Sequence, residues 1–305
     1  MKQNNFSWFF FTIDFISSHL RNIRLFFSLT KVIVSISVTI TALTGYVLAS
    51  GKFDLRLFFS ATAVFLLASG ASALNQVQES HTDALMKRTK NRPIPSGNIT
   101  KRNALLIAIL LIVSGSVLLL FFTPILCLIL GLFNIFWYNL VYTSLKFKTA
   151  FAIIPGALSG VIPVFIGWVA TGAGISDPEV VILGFFLYIW QIPHFWLLII
   201  KYGKEYEAAG LSSLSALLSE EKMKNLIFVW LIASVVVALF LPYFNIVNHP
   251  LIIIIYAALN IWLMIYFSLS IIFKKIQFSF RPAFMQINIF QLMIMLLLII
   301  DKFIQ

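Results

Sequence analysis

Cysteine is nearly missing from this chain. Cys127 is its sole example, so an intrachain disulfide is excluded and thiol chemistry does not report the redox compartment. Charge is scarce as well: Asp, Glu, Lys and Arg make up 11% of the 305 residues, against about 25% in soluble domains. With 60% hydrophobic residues and a mean hydropathy of +0.97, that shortage excludes an ordinary soluble domain. A clean secretory leader is lacking too. Residues 1–27 hold Lys2 and an aromatic-rich run from Phe6 to Phe11, but Asp14 interrupts the apolar stretch and no small-residue cleavage site follows cleanly. With Arg21 and Arg24 nearby, these residues are expected to form an interfacial amphipathic segment. There is no low-complexity linker, and no connecting loop is long enough for a separate soluble module. One membrane domain over 28–303 is therefore expected.

What is present is a succession of apolar runs near the length of about 20 residues that a bilayer demands. They fall at about 28–50, 54–74, 104–122, 125–143, 151–171, 179–200, 225–243, 250–273 and 283–303. The pattern predicts an all-α, polytopic membrane protein of about nine transmembrane helices. Pro124, Pro242 and Pro250 mark tight breaks between spans. The formal net charge of +11 suggests nucleic acid in a soluble chain. Here the distribution assigns it to topology, and no nucleic-acid partner is expected. Of the 22 basic residues, all but Lys52, Arg56 and Lys302 fall on one set of connections. The positive-inside rule places that side, with the N-terminus, in the cytoplasm and the C-terminus outside. A short chain without a transit peptide is expected in a bacterial inner (cytoplasmic) membrane, surrounded by lipid.

One stretch, Asn75 to Pro95, concentrates chemistry between the apolar runs. Asn75, Glu79 and Asp83 recur every four residues, and Lys87, Arg88, Lys90 and Arg92 follow at once. Residues four apart share a helix face, so three hard oxygen donors of the kind Mg²⁺ prefers are aligned. The rise from Asn75 to Asp83 is about 12 Å at roughly 1.5 Å per residue, too far for one ion on a straight helix. Either two ions bridge a multivalent anion such as diphosphate, or the helix end unwinds. Arg88 and Arg92, four apart, would offer forked donors to phosphate oxygens from one face, and Pro93 and Pro95 would end the helix. Lys90, Lys101 and Arg102 read as topology markers and His81 as a solvated helix-end residue.

The run N-x3-E-x3-D followed by M-K-R-T-K-N-R-P resembles the diphosphate motif of UbiA-type intramembrane prenyltransferases, and more narrowly their haem-farnesylating branch. Leu29-Thr30-Lys31 is similar to the opening of that branch's first span. Tyr142-Thr143-Ser144-Leu145-Lys146 resembles its Y-T-x-x-L-K segment with one residue fewer. Pro155-Gly156-Ala157, Gly160, Pro163 and Gly167-Trp168 resemble its Gly/Pro-rich span. Trp190-Gln191-Ile192-Pro193-His194-Phe195, with Glu205-Tyr206 and Ala209-Gly210, resembles its W-Q-x-P-H-F and D-Y-x-x-A-G segments. Glu79 and Glu205 stand where the family usually has Asp, and Ser80-His81 where Arg-Asp is common.

The resemblance implies Mg²⁺-dependent transfer of a farnesyl group from farnesyl diphosphate to haem B. Asn75, Glu79 and Asp83 would then serve as metal-binding catalytic residues, and Arg88, Arg92, Lys146 and Tyr142 would bind the diphosphate. It further implies a haem or second-motif set of His194, Lys201, Glu205 and Tyr206, and a downstream haem A synthase as a candidate partner. The resemblance implies too that the helices surround a central apolar cavity capped by cytoplasmic loops, where an allylic cation is shielded; the 31 Phe and 7 Trp have the bulk to line it, although lipid-facing belts must claim most of them. His194 reads equally as a haem-orienting group or a hydrogen-bonded structural residue. Glu205, one turn from Lys201, reads as an ion pair or as a ligand across the cavity. Two other functions stay open: prenylation of an aromatic acid or lipid headgroup, and non-catalytic haem binding or transport.

Overall fold

The computed structural model describes residues 21–304, so the expected interfacial segment lies largely outside the described residues; its last part, residues 21–29, is helical (α1). Twelve further α-helices follow: α2 Val32–Ser50, α3 Leu55–Gln78, α4 Ser80–Leu85, α5 Lys101–Phe122, α6 Ile125–Phe136, α7 Thr143–Lys148, α8 Ile153–Gly156, α9 Leu158–Ala170, α10 Pro178–Ala208, α11 Glu220–Phe240, α12 Pro250–Phe267 and α13 Phe280–Ile304. Short π-helical turns at Trp137–Tyr142 and Ser268–Ile272 continue α6 and α12. Among the described residues, nine helical segments are long and apolar enough to cross a membrane. Only helices satisfy their own backbone in lipid, and the chain is a multi-pass membrane protein.

The ends of the spans carry the expected chemistry. The Asp54 carboxylate caps α3 by accepting from the Leu57 N–H at 2.9 Å, and Thr100 and Ser219 cap α5 and α11 in the same way. At the far end of the chain, the buried Asp301 accepts from the Asn248 and His249 N–H groups at 2.9 and 2.8 Å, fastening the turn before α12 to α13. Within the bundle α3 lies along α5, α2 along α9 and α10 along α11. The α2–α9 approach is close enough that a Cβ on Gly167 would collide with the Ala42 carbonyl, and one on Gly45 with that of Val164. Small residues at such crossings are how membrane helices gain van der Waals contact without a hydrophobic driving force.

Two large buried clusters hold the bundle. One joins α2, α3, α6 and α9 through residues such as Tyr46, Leu67 and Ile166. The other joins α9 to α13 through residues such as Phe186, Trp196 and Phe290. A cavity of about 370 Å³ lies where α2, α3, α6, α9 and α10 meet.

Candidate active site

The stretch singled out by its charge forms the mouth of this cavity. α3 ends at Gln78 because Glu79 leaves helical geometry (φ −92°, ψ 7°), and α4 resumes at Ser80. Even so, the Glu79 N–H donates to the Asn75 carbonyl at 2.9 Å and the Asp83 N–H to the Glu79 carbonyl at 2.7 Å. The three predicted donors thus stay in register across a bend, and all three are buried and line the cavity. The backbone at Glu79 is thus the departure from a straight helix that the spacing of the three donors allows.

The basic cluster departs from expectation. The helix does not run on to Pro93; it stops at Leu85, where Met86 turns extended (φ −99°, ψ 132°). The Thr89 hydroxyl donates to the Asp83 carbonyl at 2.9 Å, satisfying an acceptor that the broken helix leaves open. Residues 86–99 then form consecutive turns, so Arg88 and Arg92 do not share a helix face. Arg92 swings back, its Nη1 lying 2.7 and 2.6 Å from the two Asp83 oxygens. Arg88 reaches the other way: Nη2 donates to the Tyr206 hydroxyl at 3.1 Å, and the guanidinium lies 5.0 Å from the Tyr202 ring centroid.

Each metal-type donor is paired with a cation from elsewhere in the chain. Asp83 has Arg92, Glu79 has Lys146, and the Asn75 Oδ1 accepts from Lys31 at 3.0 Å. Lys146 also sits 4.9 Å from the Tyr142 ring centroid. Lys148, two residues on, is exposed and outside the lining. Burial alone would raise the Glu79 pKa, yet the charges of Lys146 and Lys31 win and hold it below the ordinary carboxylate value. Lys31 is pushed down to about 7, first by desolvation and then by the Arg92 charge.

From sequence, Lys31 belongs to the basic side and to the Leu29-Thr30-Lys31 segment, with no site role assigned. Its place is built locally: Gln76, beside Asn75, donates to the Ser28 and Leu29 carbonyls at 2.7 and 3.0 Å. That clamp holds the α1–α2 turn against α3 and leaves Lys31 in the left-handed region (φ 47°), a strained conformation of the kind that collects at functional sites. Nothing in the local sequence signals a contact 44 residues away.

The second predicted set divides. Tyr206 lines the cavity; His194, Lys201 and Glu205 do not. The i,i+4 ion pair between Lys201 and Glu205 is not formed. Glu205 accepts from the Arg88 N–H at 3.1 Å, while the Lys201 ammonium lies 4.6 Å from the Phe280 ring centroid and 5.1 Å from that of Tyr202. His194 packs among Trp190, Phe195 and Phe284 on the side facing α13, and its Nδ1 is buried without a partner. His81 is exposed. The cavity wall below the mouth is mainly aliphatic, with Val38, Leu67, Ile135 and Ile166; of the Phe and Trp residues described, only Phe195 belongs to it.

Loops close the mouth. Met86 packs with Ala209 and Leu211, and the Ser212 N–H donates to the Lys146 carbonyl at 2.9 Å. The two long loops before α5 and α11 therefore meet over the site.

Two acids, an amide oxygen and four cations at the mouth of an apolar cavity are suited to an anion with a hydrophobic tail. The donors fit a hard divalent cation. Among the described residues no three His, Cys, Asp or Glu side chains gather to hold a metal alone. An ion there would complete its shell with anion oxygens and water, as Mg²⁺ does.

Residues 38–288 match the model of the UbiA prenyltransferase family. A protein from Bdellovibrio bacteriovorus called protoheme IX farnesyltransferase is 31% identical over 296 residues, covering 92% of this chain and 97% of its own. One of that name from Nitratidesulfovibrio vulgaris is 36% identical over 69% of this chain and 74% of its own. Among solved structures, a digeranylgeranylglyceryl phosphate synthase superposes with a TM-score of 0.74 at 19% identity, covering 93% of this chain and 100% of that one. A UbiA homologue from Archaeoglobus fulgidus bound to DMAPP and Mg²⁺ superposes with a TM-score of 0.70 at 15% identity, covering 91% and 97%.

Proposed function

This chain belongs to the UbiA prenyltransferase family and is a prenyltransferase, and on that premise we propose that it transfers a farnesyl group from farnesyl diphosphate to a vinyl group of haem B, giving haem O. The observation that carries the reading is the mouth of the cavity, where Asn75, Glu79 and Asp83 are each matched by a cation above an aliphatic chamber. The names of the relatives at 31 and 36% identity support haem as the acceptor. The protein is placed in the bacterial inner membrane as a single domain over 28–303, N-terminus inside and C-terminus outside. A haem A synthase is the enzyme expected to take its product.

Asn75, Glu79 and Asp83 would hold Mg²⁺ together with the diphosphate, and the ion would supply positive charge against the leaving group. Arg88, Arg92 and Lys146 then do what fixed cations do at a developing anion, joined by Lys31 once the incoming negative charge holds its proton. They offset its charge in a site of low dielectric without reorganising. Binding trades the amide and carboxylate partners of Lys31, Arg92 and Lys146, and the Tyr206 hydroxyl that holds Arg88, for phosphate oxygens. The aliphatic wall receives the farnesyl chain, and the loops joined by Arg88, Glu205 and Met86 keep bulk water off the cation formed when the C–O bond breaks.

Membranes containing the protein, given haem B, farnesyl diphosphate and Mg²⁺, are expected to yield the mass of haem O. Asp83→Asn is expected to lose that Mg²⁺-dependent product while remaining inserted. Normal turnover by this variant would remove the metal assignment, and product from 4-hydroxybenzoate but not from haem would move the acceptor to aromatic acids.

A further inference from the structure

We infer that the Gln191 amide, supported by Ser159, holds the single water molecule that completes the reaction. The inference rests on the haem-vinyl reading above. The chemistry makes two demands that oppose each other. Breaking the C–O bond of farnesyl diphosphate sends its electron pair out with the diphosphate. The vinyl π pair then forms the new C–C bond to the farnesyl terminus and leaves a cation on the vinyl carbon next to the porphyrin ring. A water oxygen must form the C–O bond at that carbon, and its surplus proton passes to the departed diphosphate. The chamber has to exclude water in general and still place one molecule.

The wall is aliphatic except at a few points. Two amides line it with an oxygen that is buried and unpartnered, Asn134 and Gln191; Asn134 precedes Tyr142 by eight residues on the same span, about 12 Å of helical rise, and Gln191 is the nearer to the mouth. Gly156, the last residue of α8, packs against the Tyr142 ring, and Gly160, four residues on in the first turn of α9, packs against the Gln191 amide. Four residues correspond to about 6 Å of helical rise, so the amide lies one turn below Tyr142, whose ring carries the Lys146 ammonium. That is the level where the first carbons of a prenyl chain held by Lys146 and Asn75 would begin. The amide is fixed there because only glycine at position 160 leaves room for it; a Cβ would overlap both its nitrogen and its oxygen.

The amide is also unspent. Gln191 Oε1 is buried without a hydrogen-bond partner, and the side chain lines the cavity. A buried primary amide with nothing to bond is costly unless a ligand or water takes it. Ser159, adjacent to Gly160, lines the same cavity and donates to the Gly156 carbonyl at 2.7 Å, which leaves its oxygen free to accept. An amide and a hydroxyl supply the two or more polar partners that an internal water needs.

The test reads how the product is partitioned. Wild type run with haem B and farnesyl diphosphate in heavy-oxygen water is expected to give hydroxylated product carrying the label. Gln191→Met keeps the length and removes both hydrogen-bonding groups. It is expected to divert product toward the species lighter by one water, formed when the cation loses a proton. The ratio should shift about fivefold or more, the scale of one hydrogen bond, with KM for both substrates held within about twofold. Gln191→Glu, which keeps an oxygen at that place, is expected to restore hydroxylation. An unchanged ratio with turnover retained overturns the inference. So does a raised KM for haem at an unchanged ratio, which would assign the amide to the acceptor's own polar groups. If Gln191→Met is inactive, Ser159→Ala decides in the same way. Absence of any farnesylated haem from wild type would defeat the proposed function itself.

Discussion

At the scale of single residues, the pairing of Glu79 with Lys146 separates structure from chemistry. Lys146→Met strands a buried carboxylate, and removing one partner of such a pair costs about 3–5 kcal/mol. A clear fall in thermal midpoint in detergent is expected. Adding Glu79→Gln to that variant removes the stranded charge and is expected to recover most of the midpoint while farnesyl transfer stays lost, a non-additivity typical of contacting residues. Asp54 offers a pH-dependent counterpart away from the site. Its carboxyl is held below the ordinary 3.8, first by the Leu57 N–H and second by the Tyr46 hydroxyl. A depressed folded-state pKa contributes stability that is present above the unfolded value and lost as pH falls through the folded one. Below about pH 4, therefore, wild type should lose more of its thermal midpoint than Asp54→Asn does. Asn75, Glu79 and Asp83 were legible in the sequence because a four-residue period is a local property of a helix. Lys31 was not, because its partner lies on another helix. Gln191 stood in a recognised segment, but its significance depends on Gly160, on the neighbouring span. The Lys201–Glu205 spacing misled because the Arg88 N–H and the Phe280 ring compete for the two side chains.

At the scale of elements, all nine spans were readable from length and hydropathy, since a bilayer imposes both on each segment separately. The break at Glu79 and the stop at Met86 were not. Neither residue is a helix breaker, and both departures are held by contacts from elsewhere, with Lys146 on Glu79 and the Ala209–Leu211 segment on Met86. The prolines that seemed to end the helix lie in turns that had already begun. Close helix crossings can be probed directly. Gly167→Ala puts a methyl group against the Ala42 carbonyl, and because two packed spans must separate to relieve it, a loss of about 1–3 kcal/mol is expected, seen as a lower thermal midpoint.

At the scale of the whole molecule, the asymmetry of basic residues predicts which face meets the cytoplasm. In whole cells a membrane-impermeant maleimide is expected to modify a cysteine placed at Lys52 but not one at Lys90, with both reacting in open membranes. Lys90 is exposed, and the native Cys127 is buried and stays silent. Since Glu79, Asp83 and Asn75 are already matched by Lys146, Arg92 and Lys31, a divalent ion alone meets acids whose charge is cancelled. A diphosphate alone meets cations that are likewise occupied. Only the two together exchange every partner at once, so each should raise the other's affinity by the same factor, as linkage requires. The protein would behave as a coincidence detector, with neither ion nor lipid diphosphate holding the site by itself. Calorimetric titration of each in the presence and absence of the other would measure that factor.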